Sequence, residues 1–537
     1  MNSKPIQKIL VRAPNWIGDA VMATPTLTAL RRFHESAEIV LLAKPAIAAL
    51  FEQHPDIDRI MIYEDPGQHT GLSGLWRLSR DLKHQQFDMA FLLQNALEAA
   101  LLAFFAGIPK RVGYASDRRK LLLTRSIKKK DPAPHRSDAY LALMGLVDSE
   151  WDSISAEEKR PPYLVVSSKE RQAARDFLES LGVPDEKGPL IGFNPGAAYG
   201  TAKRWLPQYF AALADQLIEE KQATILIFGA QSEIEVAENI LKHMKHTAFI
   251  LSGKTTLRQL MACIKTCHLF ISNDSGPMHI ASALAVPQVA LFGPTNAEAT
   301  FSAGPLDLMV QNKVDCAPCR HRHCPIDHPC MTGLSVETVF TAASQQLSQT
   351  DKKKAAVFLD RDGTINEDTG YIDSIDRFSL FPDAAAAIAR LNKKGIPVIL
   401  VTNQSGVARG FFSESFVEHL HLHLQQLLAK KGAYLDGIYT CVHHPDFAAC
   451  DCRKPAGGMI RQALLDHSID FSGSYVVGDK ASDIALAKVL APEEIATSIL
   501  VKTGEGTQTL KKLERLGKSP DALAENLSEA IDWILKQ

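Results

Sequence analysis

Short apolar runs recur along the chain, and each stops at a small or polar turn before a stretch of helical period. In the first part, Ile9-Leu10-Val11, Ile39-Val40-Leu41-Leu42 and Met89-Ala90-Phe91-Leu92 have this form. A helix is predicted from Ala20 to Phe33, after the turn Gly18-Asp19. A second series follows the polar, proline-containing stretch from Asp152 to Pro162. Here Leu190-Ile191-Gly192-Phe193 runs into Asn194-Pro195-Gly196, Thr224 to Phe228 into Gly229, Leu269 to Ser272 into Asn273-Asp274-Ser275-Gly276, and Val289 to Phe292 into Gly293-Pro294-Thr295. A third series has Val357-Phe358-Leu359, Val398 to Val401 and Tyr475-Val476-Val477. A helix is predicted over Glu414 to Lys430. Strands alternating with helices predict parallel α/β sheets whose ligands lie at the carboxyl ends of the strands. The expected division is 1–165, 166–346, a charged link at 347–354, and 355–537.

Composition adds limits. The chain has 537 residues, is 46% hydrophobic and carries a formal charge of −2, a balance expected of a globular protein with large cores. Nothing in it calls for a nucleic-acid partner. Its nine cysteines fit a reducing cytoplasm better than a disulfide framework. The longest apolar stretch, Ala99 to Ile108, is too short to span a bilayer, so no transmembrane segment is expected. No signal peptide is expected either, because Lys8 to Val11 enters a strand directly.

The densest chemistry lies in the third series. Phe358-Leu359-Asp360-Arg361-Asp362-Gly363-Thr364 is a strand ending at two carboxylates two residues apart, which places them on one side of extended backbone. Such a pair repels unless a cation or a proton intervenes. It suits Mg²⁺-dependent phosphoryl transfer, in which one carboxylate attacks phosphorus and its neighbour handles the leaving-group proton. Thr402-Asn403-Gln404-Ser405 supplies hydroxyl and amide donors for phosphate oxygens, and Arg453-Lys454-Pro455 supplies cations. Asp479, in Gly478-Asp479-Lys480, completes a magnesium site, and Asp483 follows four residues later. Cys441-Val442-His443 with Cys450-Asp451-Cys452 fits a closed tetrahedral zinc site tying down the Arg453-Lys454 loop; free buried cysteines are the alternative. His419, His421 and His423 read as a solvated helix face.

This order of motifs resembles the haloacid dehalogenase superfamily over about residues 355 to 535. The resemblance implies that Asp360 is the nucleophile forming an aspartyl-phosphate and Asp362 the general acid/base. Thr402 and Lys454 would steady the phosphoryl group, and Mg²⁺ would bind Asp360, Asp479 and the backbone carbonyl of Asp362. The zinc loop is similar to that of two phosphatases, one acting on D-glycero-D-manno-heptose 1,7-bisphosphate and one on histidinol phosphate. The stretches Asp368-Thr369-Gly370-Tyr371 and Thr402 to Gly410 look more like the heptose enzymes. The six residues between His443 and Cys450 are nearer the histidinol type. In the heptose family, the positions of Asp368, Gly370, Tyr371, Asn403, Gln404, Ser405, Arg453 and Lys480 contact substrate.

The first two series, over about residues 7 to 345, resemble the lipopolysaccharide heptosyltransferases, glycosyltransferases of the two-Rossmann GT-B type. The matching stretches are Pro14-Asn15-Trp16-Ile17-Gly18-Asp19, Asn194-Pro195-Gly196 through Lys203-Arg204-Trp205, and Asn273-Asp274-Ser275-Gly276-Pro277-Met278-His279. Asp19 is the candidate base for the acceptor hydroxyl, with a helix N-cap as its alternative. Lys203 can offset diphosphate charge, and the backbone from Ser275 to His279, next to Asp274, can hold donor phosphates at a helix start. Glu233 is placed near the donor nucleoside. Arg118 to Arg136 carries eight cations and one acid, and reads as a solvated face or as a dock for an anionic acceptor. Cys316, Cys319, Cys324 and Cys330 have spacing that permits a metal.

Together these resemblances imply a bifunctional cytoplasmic enzyme, peripheral at the inner membrane. It would use ADP-heptose, a lipid A-core acceptor and heptose 1,7-bisphosphate, with Mg²⁺ and Zn²⁺ on the phosphatase side. The alternative is histidinol phosphate as the phosphatase substrate.

Overall fold

The computed structural model describes residues 5–128, 135–148, 151, 161–184, 188–302, 304, 306–319, 321–350, 353–490 and 494–537. Most of the stretch from Asp152 to Pro162, Lys129 and Lys130 of the basic segment, and residues 351 and 352 of the expected link lie outside these. The chain forms two compact units, Met1–Thr350 and Asp351–Gln537.

The first unit holds two parallel sheets. One is built from β1 (Lys8–Arg12), β2 (Glu38–Ala43), β3 (Arg59–Ile62), β4 (Met89–Leu92), β5 (Lys110–Tyr114) and β6 (Arg125–Ile127), in the order 3-2-1-4-5-6. The other contains β7 (Leu190–Asn194), β8 (Thr224–Ile227), β9 (Phe249–Ile250), β10 (Leu269–Asn273), β11 (Gln288–Phe292) and β12 (Asp307–Gln311), in the order 12-11-10-7-8-9. The second unit repeats the pattern with β13 (Val357–Leu359), β14 (Val398–Asn403), β15 (Gly437–Cys441), β16 (Tyr475–Gly478), β17 (Thr497–Val501) and β18 (Ala522–Ala524), in the order 15-14-13-16-17-18. Central strands such as Val357-Phe358-Leu359 and Leu269 to Asn273 are buried on both faces, which is why they read as continuous apolar runs.

In each sheet the chain winds first one way and then the other from the first strand. The crevice at that reversal lies between β1 and β4, β7 and β10, and β13 and β16, and it is where such sheets take ligands. Asp19, Asp274, Asp360 and Asp479 all lie just beyond strands flanking these crevices.

Two sequence expectations change in detail. The helix expected from Ala20 to Phe33 is two helices, Ile17–Met22 and Thr24–Phe33, broken at Ala23 ahead of Pro25, which starts the second. The helix Val336–Thr350 continues past Gln346, because Val339, Ala343 and Leu347 form a buried stripe on the core of the second sheet. Among the described residues no helix is long and apolar enough to cross a membrane.

Candidate functional site

In the second unit, β13 delivers Asp360 into a buried acidic cluster. The Asp360 amide donates to the Val477 carbonyl at 3.0 Å, which pins the strand end against β16. Carboxylate oxygens of Asp360, Asp479 and Asp483 lie within 4.8 Å of one another. Lys454 Nζ stands 2.7 Å from both Asp360 Oδ1 and Asp483 Oδ1. Burial pushes the Asp360 carboxyl up to about 6 against the pull of Lys454. Asp479 is pushed up to about 7, by burial first and then by Asp360. Asp479 Oδ2 accepts the Glu505 amide at 2.8 Å, while its Oδ1 is buried without a hydrogen-bond partner. An orphaned carboxylate oxygen among three acids facing one lysine fits a divalent cation, since opposite charge is what such a cluster lacks.

Two glycines open the space. A Cβ on Gly363, which has φ +83°, would sit 2.2 Å from Asp479 Oδ2. A Cβ on Gly478 would sit 2.3 Å from Asp483 Oδ2. The backbone must therefore pass directly against the carboxylates.

Asp362 makes different contacts. Its carboxylate accepts from Arg361 Nη2 at 2.9 Å, Gln404 Nε2 at 2.8 Å and Asn366 Nδ2 at 3.0 Å. Burial pushes its carboxyl up, but Arg361 and these hydrogen bonds outweigh burial and hold it below the usual range. Gln404 also donates to Thr402 Oγ1 at 2.9 Å, linking the expected phosphate-side hydroxyl to Asp362. Asn403 is tied to the Lys454 backbone in both directions, accepting its amide at 3.0 Å.

Around this floor, Lys480 Nζ bonds Asp368 Oδ2 at 2.8 Å, and Asp368 in turn accepts the Gly370 amide at 3.0 Å. Tyr371 packs edge-on to Phe411 at 4.7 Å, both exposed, with the Arg409 guanidinium 5.8 Å from the tyrosine ring. Ser405 accepts the Arg409 amide through its carbonyl. Arg453 reaches back to the His443 carbonyl at 3.3 Å.

That carbonyl belongs to the second metal-like group. Cys441 Sγ lies 3.7 Å from Cys450 Sγ, 3.1 Å from Cys452 Sγ and 3.8 Å from His443 Nδ1, and His443 Nδ1 is 3.2 Å from Cys452 Sγ. Tetrahedral zinc with ordinary bond lengths separates its ligand atoms by about 3.5–3.8 Å. The four residues therefore fit zinc with little rearrangement. The segment from Cys316 to Cys330 forms no third such group among the described residues.

In the first unit, Asp19 lies in the first turn of the helix Ile17–Met22, whose N-cap is Trp16, so the N-cap alternative does not hold. Arg136 Nε is 3.2 Å from Asp19 Oδ1, and Tyr140 donates a hydrogen bond to Asp19. Burial raises the Asp19 carboxyl above the usual range, opposed by Arg136 and Tyr140. A Cβ on Gly18 would sit 2.7 Å from His279 Cδ2, and one on Gly276 would sit 3.1 Å from Ile17 Cβ. These glycines let the helices Ile17–Met22 and Gly276–Ala283, one from each half, pack closely.

His279 is buried and shares a hydrogen bond with Ser302 Oγ at 2.8 Å. Burial pulls its imidazole down to about 4. Lys203 Nζ lies 2.6 Å from Asp274 Oδ2, which also accepts from Thr295 Oγ1 at 2.7 Å. Asn194 Nδ2 donates to Ser275 Oγ at 2.9 Å, joining the ends of β7 and β10. Glu233 crosses Gly196, where a Cβ would fall 2.1 Å from its Oε1.

Sequence reasoning passed over several members. Tyr140 gave no motif signal, Arg136 was read only as one of the cations of the basic segment, and Thr295 only as part of a strand-terminal turn. Asp483 sits four residues after Asp479, a spacing noted without a role. His421 is buried beside Arg361 Nη1 at 3.3 Å rather than solvated, and burial pulls it down to about 3. Arg119, counted in the basic segment, is also buried; it donates to the Tyr114 and Gln94 carbonyls and to Asn95 Oδ1. It secures a loop and is no part of an exposed face.

Comparison with known proteins agrees with both family resemblances. The sequence pattern of Glycosyltransferase family 9 (heptosyltransferase) matches residues 75–329, and a HAD-hydrolase-like pattern matches 451–530. Lipopolysaccharide heptosyltransferase 2 of Salmonella typhimurium is 33% identical over 301 residues, covering 55% of this chain and 84% of that protein. D-glycero-beta-D-manno-heptose-1,7-bisphosphate 7-phosphatase of Photorhabdus laumondii is 45% identical over 160 residues, covering 29% of this chain and 84% of that protein. The solved ADP-heptose lps heptosyltransferase II of E. coli, 27% identical, aligns with a TM-score of 0.56 over 64% of this chain and 100% of its own.

Two facing parallel sheets and a third with an acidic crevice are thus the frames of a glycosyltransferase and a phosphatase. The chain belongs to the family 9 heptosyltransferases through its first part and to the HAD-like heptose bisphosphate phosphatases through its last.

Proposed function

We propose that this chain is a bifunctional enzyme of lipopolysaccharide inner-core assembly. Its first unit transfers heptose from ADP-heptose to the core of a lipid-linked acceptor. Its second unit removes the 7-phosphate of D-glycero-beta-D-manno-heptose 1,7-bisphosphate. The phosphatase reading is carried by the buried Asp360–Lys454–Asp479–Asp483 constellation.

In the phosphatase, Asp360 attacks phosphorus, the bond from phosphorus to the C7 oxygen breaks, and Asp362, which must enter this step protonated although Arg361 favours its carboxylate, supplies a proton to the departing oxygen. Asp362 then takes a proton from water, which attacks the aspartyl-phosphate, frees phosphate and restores Asp360. Lys454 and Thr402 hold the phosphoryl oxygens. Asp360, Asp479 and the Asp362 carbonyl would hold Mg²⁺, which supplies charge neutralisation at phosphorus. Asp368, Gly370, Tyr371, Asn403, Gln404, Ser405, Arg453 and Lys480 face the sugar and its remaining phosphate. Cys441, His443, Cys450 and Cys452 would hold structural Zn²⁺, with no position left for a reacting water.

In the transferase, Asp19 takes the acceptor hydroxyl proton as that oxygen bonds the anomeric carbon. The bond from that carbon to the diphosphate breaks, and ADP leaves with the electron pair. Lys203, now paired with Asp274, and the amides opening the helix Gly276–Ala283 receive the diphosphate charge. We read the protein as cytoplasmic and peripheral at the inner face of the membrane, a reading that its likeness to heptosyltransferases of lipopolysaccharide supports.

The test is a crossed pair of variants assayed for both reactions. Asp360→Asn should abolish phosphate release and leave transfer intact. Asp19→Ala should lower transfer about 10²- to 10⁴-fold and leave phosphate release intact. Histidinol phosphate serves as the competing substrate: a preference for it over the heptose bisphosphate would overturn the phosphatase assignment.

A further inference from the structure

The helix Leu97–Phe105 is apolar on both sides. Ala99, Ala100, Leu102 and Ala103 are buried, while Leu97, Phe104 and Phe105 on the other side are 42%, 45% and 43% exposed. Its one charged residue, Glu98, accepts a hydrogen bond from the Tyr63 hydroxyl. The apolar surface continues onto the helix Gly71–His84, where Trp76 is 63% exposed and lies 6.3 Å from the Phe105 ring, with Leu72 one turn away. It also continues to Leu121, which is 93% exposed. Arg111 joins these parts: its guanidinium is 5.5 Å from the Phe104 ring, and its Nε donates to the Leu122 carbonyl.

Exposed cations flank this surface. Arg80 and Lys83 lie on the helix Gly71–His84, and Arg118, Lys120 and Arg125 lie on the segment around Leu121. They outnumber the exposed acids Asp81 and Asp117 in the same two segments. The surface also has a defined place in the fold. The helix Leu97–Phe105 starts beyond the carboxyl end of β4, and its last turn, with Phe104 and Phe105, lies toward the other edge of the sheet, where Arg111 near the start of β5 holds the Leu122 carbonyl ahead of the parallel strand β6.

We infer that this face is a membrane-docking surface, inserting Trp76, Phe104, Phe105 and Leu121 into the interface of a bilayer with anionic headgroups. Aromatic rings at headgroup depth with a border of cations are what such an interface attracts, and each cation near the surface adds to the binding. A water-filled surface would not favour a row of exposed leucine and phenylalanine side chains without a partner. The inference deepens the transferase reading and rests on it: docking would hold the first unit at the bilayer that carries a lipid-linked acceptor.

The test uses the full chain with vesicles of neutral lipid and of neutral lipid mixed with anionic lipid. The wild type should sediment with the anionic vesicles and be released as salt rises to about 0.5 M. Trp76→Ser combined with Phe105→Ser should weaken partitioning at least about tenfold, as should Arg80→Glu combined with Lys83→Glu. Transfer to a soluble, delipidated acceptor should be unchanged in all of them, which also shows that they fold. Transfer to vesicle-borne acceptor should fall. A wild type that ignores anionic vesicles, or variants that bind as well as the wild type, would overturn the inference. So would an apolar variant that instead changes the oligomeric state, which would make the face an interface between copies. Loss of transfer to the soluble acceptor by the wild type would fail the transferase reading itself, separately from docking.

Discussion

At the scale of single residues, Asp19 carries a prediction whose sign follows from its neighbours. As the proposed base, Asp19 must be ionised, so transfer should fall as pH drops through its pKa. Burial raises that pKa, and Arg136 and Tyr140 oppose the rise. The acidic limb of kcat/KM for transfer should therefore lie above that of an exposed carboxylate. Arg136→Ala removes a favourable charge and should move the limb to still higher pH, with Arg136→Lys between the two. A pH–rate series on the three proteins checks this, and an unmoved limb would separate the limb from Asp19. The residues that carry charge in the two crevices were legible because they end strands within short motifs. Their modulators were not. Arg136 reaches Asp19 from more than a hundred positions away, and no local pattern marks such a pairing. His421 misleads for a related reason: histidines at alternate positions of a helix point in different directions, so one can be buried while His419 stays exposed.

At the scale of elements, the approach of the helices Ile17–Met22 and Gly276–Ala283 depends on the absence of side chains at Gly18 and Gly276. Gly18→Ala sets a methyl against His279, which is buried and hydrogen-bonded and so has little room to yield. A loss of about 1–3 kcal/mol is expected in denaturant unfolding of the first unit, with reduced transfer. The zinc loop gives a second prediction. The purified protein should hold about one zinc per chain. Cys452→Ser should lose it together with most phosphatase activity, even with excess Mg²⁺, and transfer should not change. Metal content measured beside the two assays decides it. Strand positions were legible because buried parallel strands are continuous apolar runs. The break at Ala23 was less so, since Pro25 suits the start of a helix and the apolar pattern runs through it.

At the scale of the whole molecule, the first two crevices are assembled within one compact unit and the third within the other. The two proposed reactions are not consecutive, because a nucleotide must be joined to the sugar between them. Cutting the chain between the units should therefore leave both kcat/KM values within about twofold. A protease site placed at 351–352, with both assays run before and after cleavage, measures this. The arrangement of the three sheets also bears on how the protein is made. Strands of different sheets never alternate along the chain, and the first strand of each sheet is central. During synthesis the central strand of each sheet leaves the ribosome before the strands that will flank it. The first sheet must wait for more: its core cluster includes Phe228, Phe270 and Ile280 from the second half. Its apolar face therefore stays open while the next part of the chain is translated. The phosphatase core, by contrast, is drawn wholly from residues 356 to 534 and can close as soon as they emerge. The nascent chain is accordingly most exposed to aggregation, and most in need of a chaperone, between completion of β6 and arrival of the helix Gly276–Ala283.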